Sequence, residues 1–183
     1  MADRTKFATP IGVFMYAALA ETEKLPDGTD SGKYAIQEVL GATALSSPEW
    51  AKLDAAIKAE AKAAAKEWKV PETSVRLPYR PNEERAEKNA VYTPGGVFLT
   101  AKSKFQSPIV DIGKRPITDA TAVFNGCEGR LVVSLYKYNV SGNRGIGLSL
   151  ELVQVTNFDK EKIGGGGGEA LSLLSDLPDP FAA

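Results

Sequence analysis

Apolar and polar positions alternate with period two in three stretches of the chain's second half, and that period predicts β-strands. In residues 96–105 (GVFLTAKSKF), Val97, Leu99, Ala101, Ser103 and Phe105 share one face, and Phe98, Thr100, Lys102 and Lys104 share the other. In residues 130–138 (RLVVSLYKY), Leu131, Val133, Leu135 and Lys137 alternate with Val132, Ser134, Tyr136 and Tyr138. Ser141-Gly142-Asn143 reads as a turn into a third strand, so the pair forms an antiparallel hairpin. Ile146, Leu148, Leu150 and Leu152 face inward there, and the phase slips at Val153 and Val155, which predicts a bulge. Upstream, residues 5–20 carry the β-formers Phe7, Ile11, Val13 and Phe14, with Pro10 marking an edge or a bend. Pro26-Asp27-Gly28 is a turn signal, and residues 33–40 alternate Tyr34, Ile36 and Glu38 against Ala35, Gln37 and Val39.

One stretch has the other period. In residues 48–69, Trp50, Leu53, Ile57, Ala61, Ala64 and Trp68 recur at three and four residues, which is one face of a helix. Ser47 is placed to cap it, Pro48 suits its first turn, and Ser46 and Glu49 have capping-box spacing. The expectation is an amphipathic helix packed on a sheet by its tryptophans. Residues 71–94, rich in proline and charge, read as a long exposed loop. Five glycines at 164–168 are followed neither by Gly-Lys-Ser/Thr nor by a G-x-G-x-x-G unit, so they read as a flexible linker and not a phosphate loop. About five strands with a single helix predict a mainly β fold, a small closed or half-closed barrel, with the five-stranded oligonucleotide-binding (OB) barrel as leading candidate.

Composition narrows the chemistry. The 183 residues are 43% hydrophobic and 25% charged, a globular profile. With no histidine, Ser–His–Asp and Cys–His catalysis and histidine metal sites are excluded. The single cysteine, Cys127, forms no internal disulfide, reads as a buried structural thiol, and fits a reducing cytoplasm. Asp111, Asp119 and Glu128 show no metal-ligand spacing. The chain is therefore read as a binder, not an enzyme, with no cofactor and no metal. The apolar run at 11–20 is about half of the ~20 residues a membrane span needs. Pro10, Gly12 and Tyr16 break it, so it reads as a strand and not a signal peptide, and no membrane partner is expected.

The net charge of −1 hides a division. All 22 Lys and Arg and 20 of the 23 Asp and Glu lie up to Lys162; beyond it stand only Glu169, Asp176 and Asp179. The body is thus +2 and the tail −3. Within the body, cations interleave with aromatics: Lys33-Tyr34, Arg76, Tyr79-Arg80, Tyr92, Lys102, Lys104-Phe105, Lys114-Arg115, Tyr136-Lys137-Tyr138 and Arg144. Single-stranded nucleic acid needs this mixture, because cations track phosphates while flat rings stack on unpaired bases.

The segments GGVFLTAKSKFQSPIVD and ITDATAVFNGCEGRLVVSLYKYNVSGNRGIGLSLELVQ resemble phage-encoded single-stranded DNA-binding proteins of the OB-fold type. The elements that carry the resemblance are Ala101-Lys102-Ser103, Ile117-Thr118-Asp119, Gly126-Cys127 with Arg130, Tyr136-Lys137-Tyr138 and Gly142-Asn143-Arg144-Gly145. Ser175-Asp176-Leu177-Pro178-Asp179-Pro180-Phe181 is similar to the acidic tips of such proteins, although Ala182 and Ala183 follow the phenylalanine. The resemblance implies an OB-fold domain over 1–162 with helix 48–69, followed by a linker and acidic tail over 163–183. It implies sequence-independent coating of single-stranded DNA during phage replication, recombination or repair, in the host cytoplasm. Lys102, Lys104, Tyr136, Tyr138 and Arg144 are the expected groove residues. Lys33, Tyr79, Arg80, Lys114 and Arg115 are the expected outer contacts, and Tyr34, Arg76, Phe105 and Lys137 are further expected DNA-binding residues. Asp176, Asp179 and Phe181 would dock replication or recombination proteins, or compete with DNA. Exposed sheet edges leave room for a homodimer. The alternative is a β-rich structural or protein-interaction module without DNA binding.

Overall fold

The computed structural model describes residues 4–163. Its strands are β1 (Lys6–Ala8), β2 (Gly12–Ala18), β3 (Tyr34–Leu40), β4 (Tyr79–Pro81), β5 (Val97–Ser103), β6 (Ile109–Val110), β7 (Glu128–Val140) and β8 (Asn143–Asn157); the helix α1 spans Pro48–Trp68. The fold is mainly β-sheet with one substantial helix. No described helix is long and apolar enough to cross a membrane.

Pairing follows from local sequence. The turn at Ser141 and Gly142 has both residues at positive φ (50° and 79°), which matches the twist of the strands it joins. β7 and β8 therefore pair antiparallel from Val140↔Asn143 back to Glu128↔Asn157. The predicted phase slip is a real register shift. Val132 faces Leu152 while Val133 faces Leu150, so Glu151 is the extra residue and Val153 and Val155 become buried. Leu152, expected inward, is only half-buried because it lies past the bulge. Pro10 lacks an N–H and splits the N-terminal stretch into β1 and β2, which pair with different parts of β7. Thr9 bridges the gap: its N–H donates to Leu131 O and its hydroxyl accepts from Leu131 N–H (2.8 Å).

The other pairings are β2 with β3, β3 with β5 and β4 with β5, all antiparallel, and β5 with β8 and β6 with β8, both parallel. Thus β2, β3, β5, β8 and β7 each pair with the next, and β7 pairs again with β2. Phe14, Ile36, Leu99, Ala101, Leu131, Val133 and Leu148 project from these strands into one core.

α1 closes one side of that core against β1, β7 and β8. Trp50, Leu53 and Ile57 enter it, while Ala61, Ala64 and Ala65 pack with Val75 and Ile146. The Ser47 hydroxyl accepts from Trp50 N–H, so Ser47 is the cap and the Ser46–Glu49 spacing is not used. Residues 71–94 are not the open loop that their composition predicts. They contain β4 and two 3-10 turns, and they bury Asn82 and Tyr92. Asn82 donates its amide to Leu40 O and Thr93 O, strapping the segment onto the sheet.

Candidate nucleic-acid interface

The outer face of β2, β3 and β5 carries a groove of about 640 Å³. Three rows of cross-strand partners build it: Val13, Val39 and Phe98; Met15, Gln37 and Thr100; Ala18, Ala35 and Lys102. The first row is roofed by the strap, where Met15, Val39, Tyr92 and Phe98 form an apolar cluster. In the second row Met15 joins that cluster and Gln37 is bonded to Tyr92 and Arg85 of the strap, so the opening lies over Thr100 and the third row. Tyr16 and Ala18 line the groove from β2, Ala35 and Gln37 from β3, and Thr100 and Lys102 from β5. Glu23, Lys24 and Pro26 contribute from the β2–β3 loop, and Arg85 and Lys88 from the strap. Small side chains at positions 18 and 35 keep the floor low.

The electrostatics favour an anion. Lys24, Arg85, Lys88 and Lys102 line the groove against one carboxylate, Glu23. Glu23 is bonded to Lys102 Nζ at 2.6 Å and Asp30 to Lys24 Nζ at 3.1 Å, which leaves Arg85 and Lys88 to set the field. The Arg85 guanidinium lies 4.5 Å from the Phe98 ring centre, 5.9 Å from Tyr92 and 6.0 Å from Tyr16. Gln37 Oε1 accepts from the Tyr92 hydroxyl (2.6 Å) and from Arg85 (3.4 Å), which fixes the strap against the floor. Burial, the largest influence on Tyr92, raises its pKa and keeps the hydroxyl a donor. Tyr16 is 55% exposed.

Of the residues singled out in the sequence, Lys102 lines this groove. Lys33 and Tyr34 enter β3 beside it: Lys33 O accepts from Glu23 N–H, and Tyr34 pairs with Ser103. Lys104 does not continue the Lys102 face, because β5 ends at Ser103 and the chain bends. Phe105, in that bend, is 82% exposed, and the neighbouring Gln106 amide donates to Leu19 O, so the bend adjoins the end of β2.

A second group gathers on the β7–β8 hairpin. Tyr136 and Tyr138 lie 6.3 Å apart. Each covers a glycine directly across the ladder, Gly147 and Gly145, where a Cβ would fall within 2.7 Å of the tyrosine. Their rings are spread over the strand rather than turned into the groove of β2, β3 and β5. Arg76 is tied to the same arm, accepting from Ile146 N–H and donating to Arg144 O through its backbone. Lys137 pairs with Glu67 at the end of α1.

The remaining residues are elsewhere. Tyr79 leans edge-on against Trp50 at 5.1 Å, and its hydroxyl donates to Asp54 Oδ1 at 2.6 Å. Burial and that carboxylate hold its pKa well above the usual phenol value. Arg80 pairs with Glu84 (3.0 Å). Arg115 pairs with Asp111 (2.8 Å), in the turn that also exposes Lys114. Asp176, Asp179 and Phe181 lie outside the described residues.

Tyr16, Lys24, Arg85 and Lys88 were not singled out. Each stands apart from any neighbour of the complementary kind in sequence, and the partners of Arg85 arrive from β2, β5 and the end of the strap. The interruption of the apolar run at Tyr16 is the one available signal.

A mainly β protein with one packed helix and a groove of cations and rings on a sheet face is a ligand-binding class, and the sequence narrows it. The chain belongs to the ssDNA-binding protein family of Enterobacter phage Enc34, which matches residues 12–173. This is the kind of family that the resemblance named. The fold is similar to that of the single-stranded DNA-binding protein from bacteriophage Enc34 solved in complex with ssDNA. Identity there is 13% and the TM-score 0.68, over 87% of this chain and 89% of that one. It is also similar to gp2.5, a single-stranded DNA-binding protein encoded by bacteriophage T7, at 17% identity and a TM-score of 0.64 over 99% and 100% of the two chains. No curated protein matches the sequence.

Proposed function

We propose that this chain binds single-stranded DNA in the groove across β2, β3 and β5, without catalysis and largely without sequence preference. It coats and protects the strand during phage DNA replication, recombination or repair, in the cytoplasm of the host. The observation that carries this reading is the groove itself: four cations beside an exposed ring, in a member of a family of ssDNA-binding proteins. The run of pairings from β2 through β3, β5, β8 and β7 back to β2 supports an OB-type closed barrel, with α1 inserted between its second and third strands. Lys24, Arg85, Lys88 and Lys102 contact phosphates, and Tyr16 stacks on a base. Lys33, Tyr34, Lys104 and Phe105 extend the path past the open end of the groove. Arg76, Tyr136, Lys137, Tyr138 and Arg144 offer a second contact on the hairpin, with Arg80, Lys114 and Arg115 as outlying cations. Tyr79 serves to fix α1. The acidic tail, with Asp176, Asp179 and Phe181, recruits partner proteins or competes with DNA.

The test is a titration of labelled oligothymidine and a matched duplex at two salt concentrations. Binding should prefer the single strand and weaken with salt by about 0.7 log unit per phosphate contact per log unit of salt. Arg85→Ala should weaken oligothymidine binding by about tenfold or more, since it removes both a phosphate partner and one wall of the ring cluster. Absence of binding by the wild-type chain would reject the reading in favour of a protein-interaction module.

A further inference from the structure

Tyr16 sits in the groove at a cost. Its φ is 51°, in the left-handed region that an aromatic L-residue avoids. It occupies the irregularity between Met15 and Ala18, where the ladder to β3 shifts register. Backbone of this kind persists only where its surroundings over-determine it, and such strain gathers at functional positions. Here the strained residue fills no core, because its ring faces solvent in the groove.

The surroundings responsible are specific. The Tyr16 N–H donates to Asn125 Oδ1 at 2.6 Å, across 109 residues of sequence. That acceptor serves the amide of a residue that has no register partner in β3. Asn125 is itself fixed on two sides. Beyond it, Gly126 N–H donates to Phe14 O (2.8 Å) and Phe14 N–H to Cys127 O (2.9 Å), which clamps the segment to β2 just before the bulge. Its own carbonyl accepts from Ile163 N–H (2.7 Å). The side chain is thus delivered to the Tyr16 amide by a backbone with little freedom to move.

We propose that Asn125 is a positioning residue that holds the bulge presenting the Tyr16 ring as a stacking seat for one unpaired base, with the Arg85 guanidinium over the ring's other face. The proposal rests on the single-stranded DNA reading above. Asn125 acts through the backbone of residue 16. Deleting its amide lets the bulge relax toward ordinary extended backbone, in which the ring no longer keeps its place beside Arg85. A base lost from this seat is lost in stacking alone, so the signature is a change in how strongly the protein distinguishes a strand with bases from one without.

The test uses the full chain and two labelled probes of equal length at low salt, oligothymidine and an abasic strand with the same phosphates. The readout is the ratio of the two affinities. Tyr16→Ala should reduce that ratio roughly 5- to 100-fold, the range for one lost base stack. Asn125→Ala should reduce it in the same direction, and the double variant should be no worse than Tyr16→Ala alone. Asn125→Asp keeps the acceptor and adds a charge, so it should weaken both probes together and hold the ratio near wild type. A merely structural role would lower both affinities equally in Asn125→Ala and leave the ratio alone, which overturns the proposal. Losses that multiply in the double variant, or a ratio untouched by Tyr16→Ala, overturn it as well. If Asn125→Ala does not fold, the ratio in Asn125→Asp decides, and its collapse to the Tyr16→Ala value counts against the proposal. Failure of the wild-type chain to bind either probe is a different result, and removes the DNA reading itself.

Discussion

At the scale of single residues, the most informative side chain outside the groove is Glu38. It is fully buried on β3 between Phe14 and Leu99, and neither carboxylate oxygen finds a hydrogen-bond partner among the described residues. Burial raises its pKa well above the ordinary 4.5, and the nearby Thr9 hydroxyl, which acts the other way, does not offset it. The folded protein therefore holds this proton when the unfolded chain has released it. Stability associated with Glu38 is fully present below about pH 4.5 and declines as pH rises toward the folded-state value. Glu38→Gln, nearly the same shape and without a charge, should flatten that decline. Urea-unfolding midpoints for both proteins between about pH 5 and 9 would show it. A wild-type midpoint that does not fall across this range would count against a neutral Glu38.

At the scale of elements, the loop between β2 and β3 is pinned over the groove by its own carboxylate. Glu23 bonds Lys102 Nζ at 2.6 Å, and its backbone is tied to both Lys33 and Ser31. Both partners are about one-third exposed, so the pair adds little stability, but it occupies a cation that a phosphate would use. Glu23→Gln should free Lys102 and remove the only acid among the described residues that line the groove. Oligothymidine affinity should rise by roughly two- to tenfold at low salt, with the gain shrinking as salt is added. Equal affinities at low salt would show that the ion pair does not compete with DNA. The strap over 82–94 illustrates the opposite case, a charged segment made rigid by two buried residues, Asn82 and Tyr92.

At the scale of the whole molecule, charge is segregated along the chain: 22 cations lie up to Lys162, and three acids and no cation follow it. The last described residue, Ile163, packs with Met15, Val39, Tyr92 and Phe98, so the chain leaves the domain beside the groove. Removing residues 164–183 should therefore tighten binding of oligothymidine, most at low salt where the tail's charges are least screened. Anisotropy titrations of the full and shortened chains would measure this, and identical curves would end the competition reading.

Local periodicity and local chemistry are legible in the residues alone. Alternation placed β3, β5, β7 and β8. The spacing of Trp50, Leu53 and Ile57 placed α1, Ser141-Gly142 placed the hairpin turn, and the slip at Val153 located the bulge. Motif order across residues 101–145 was enough to name the family. Tertiary structure decided which charged and aromatic side chains share a surface. Nearness in sequence had grouped Tyr79 with Arg80 and Tyr136 with Tyr138, yet Tyr79 is spent on Asp54 and Trp50, and the hairpin tyrosines cover glycines. The groove joins Tyr16, Lys24, Arg85, Lys88 and Lys102, which meet only because β2, β3 and β5 pair and a strap folds over them. Periodicity reports which way a side chain points along its own strand, whereas a binding surface is set by register between strands and by long-range hydrogen bonds such as Tyr16 to Asn125, which no local pattern encodes.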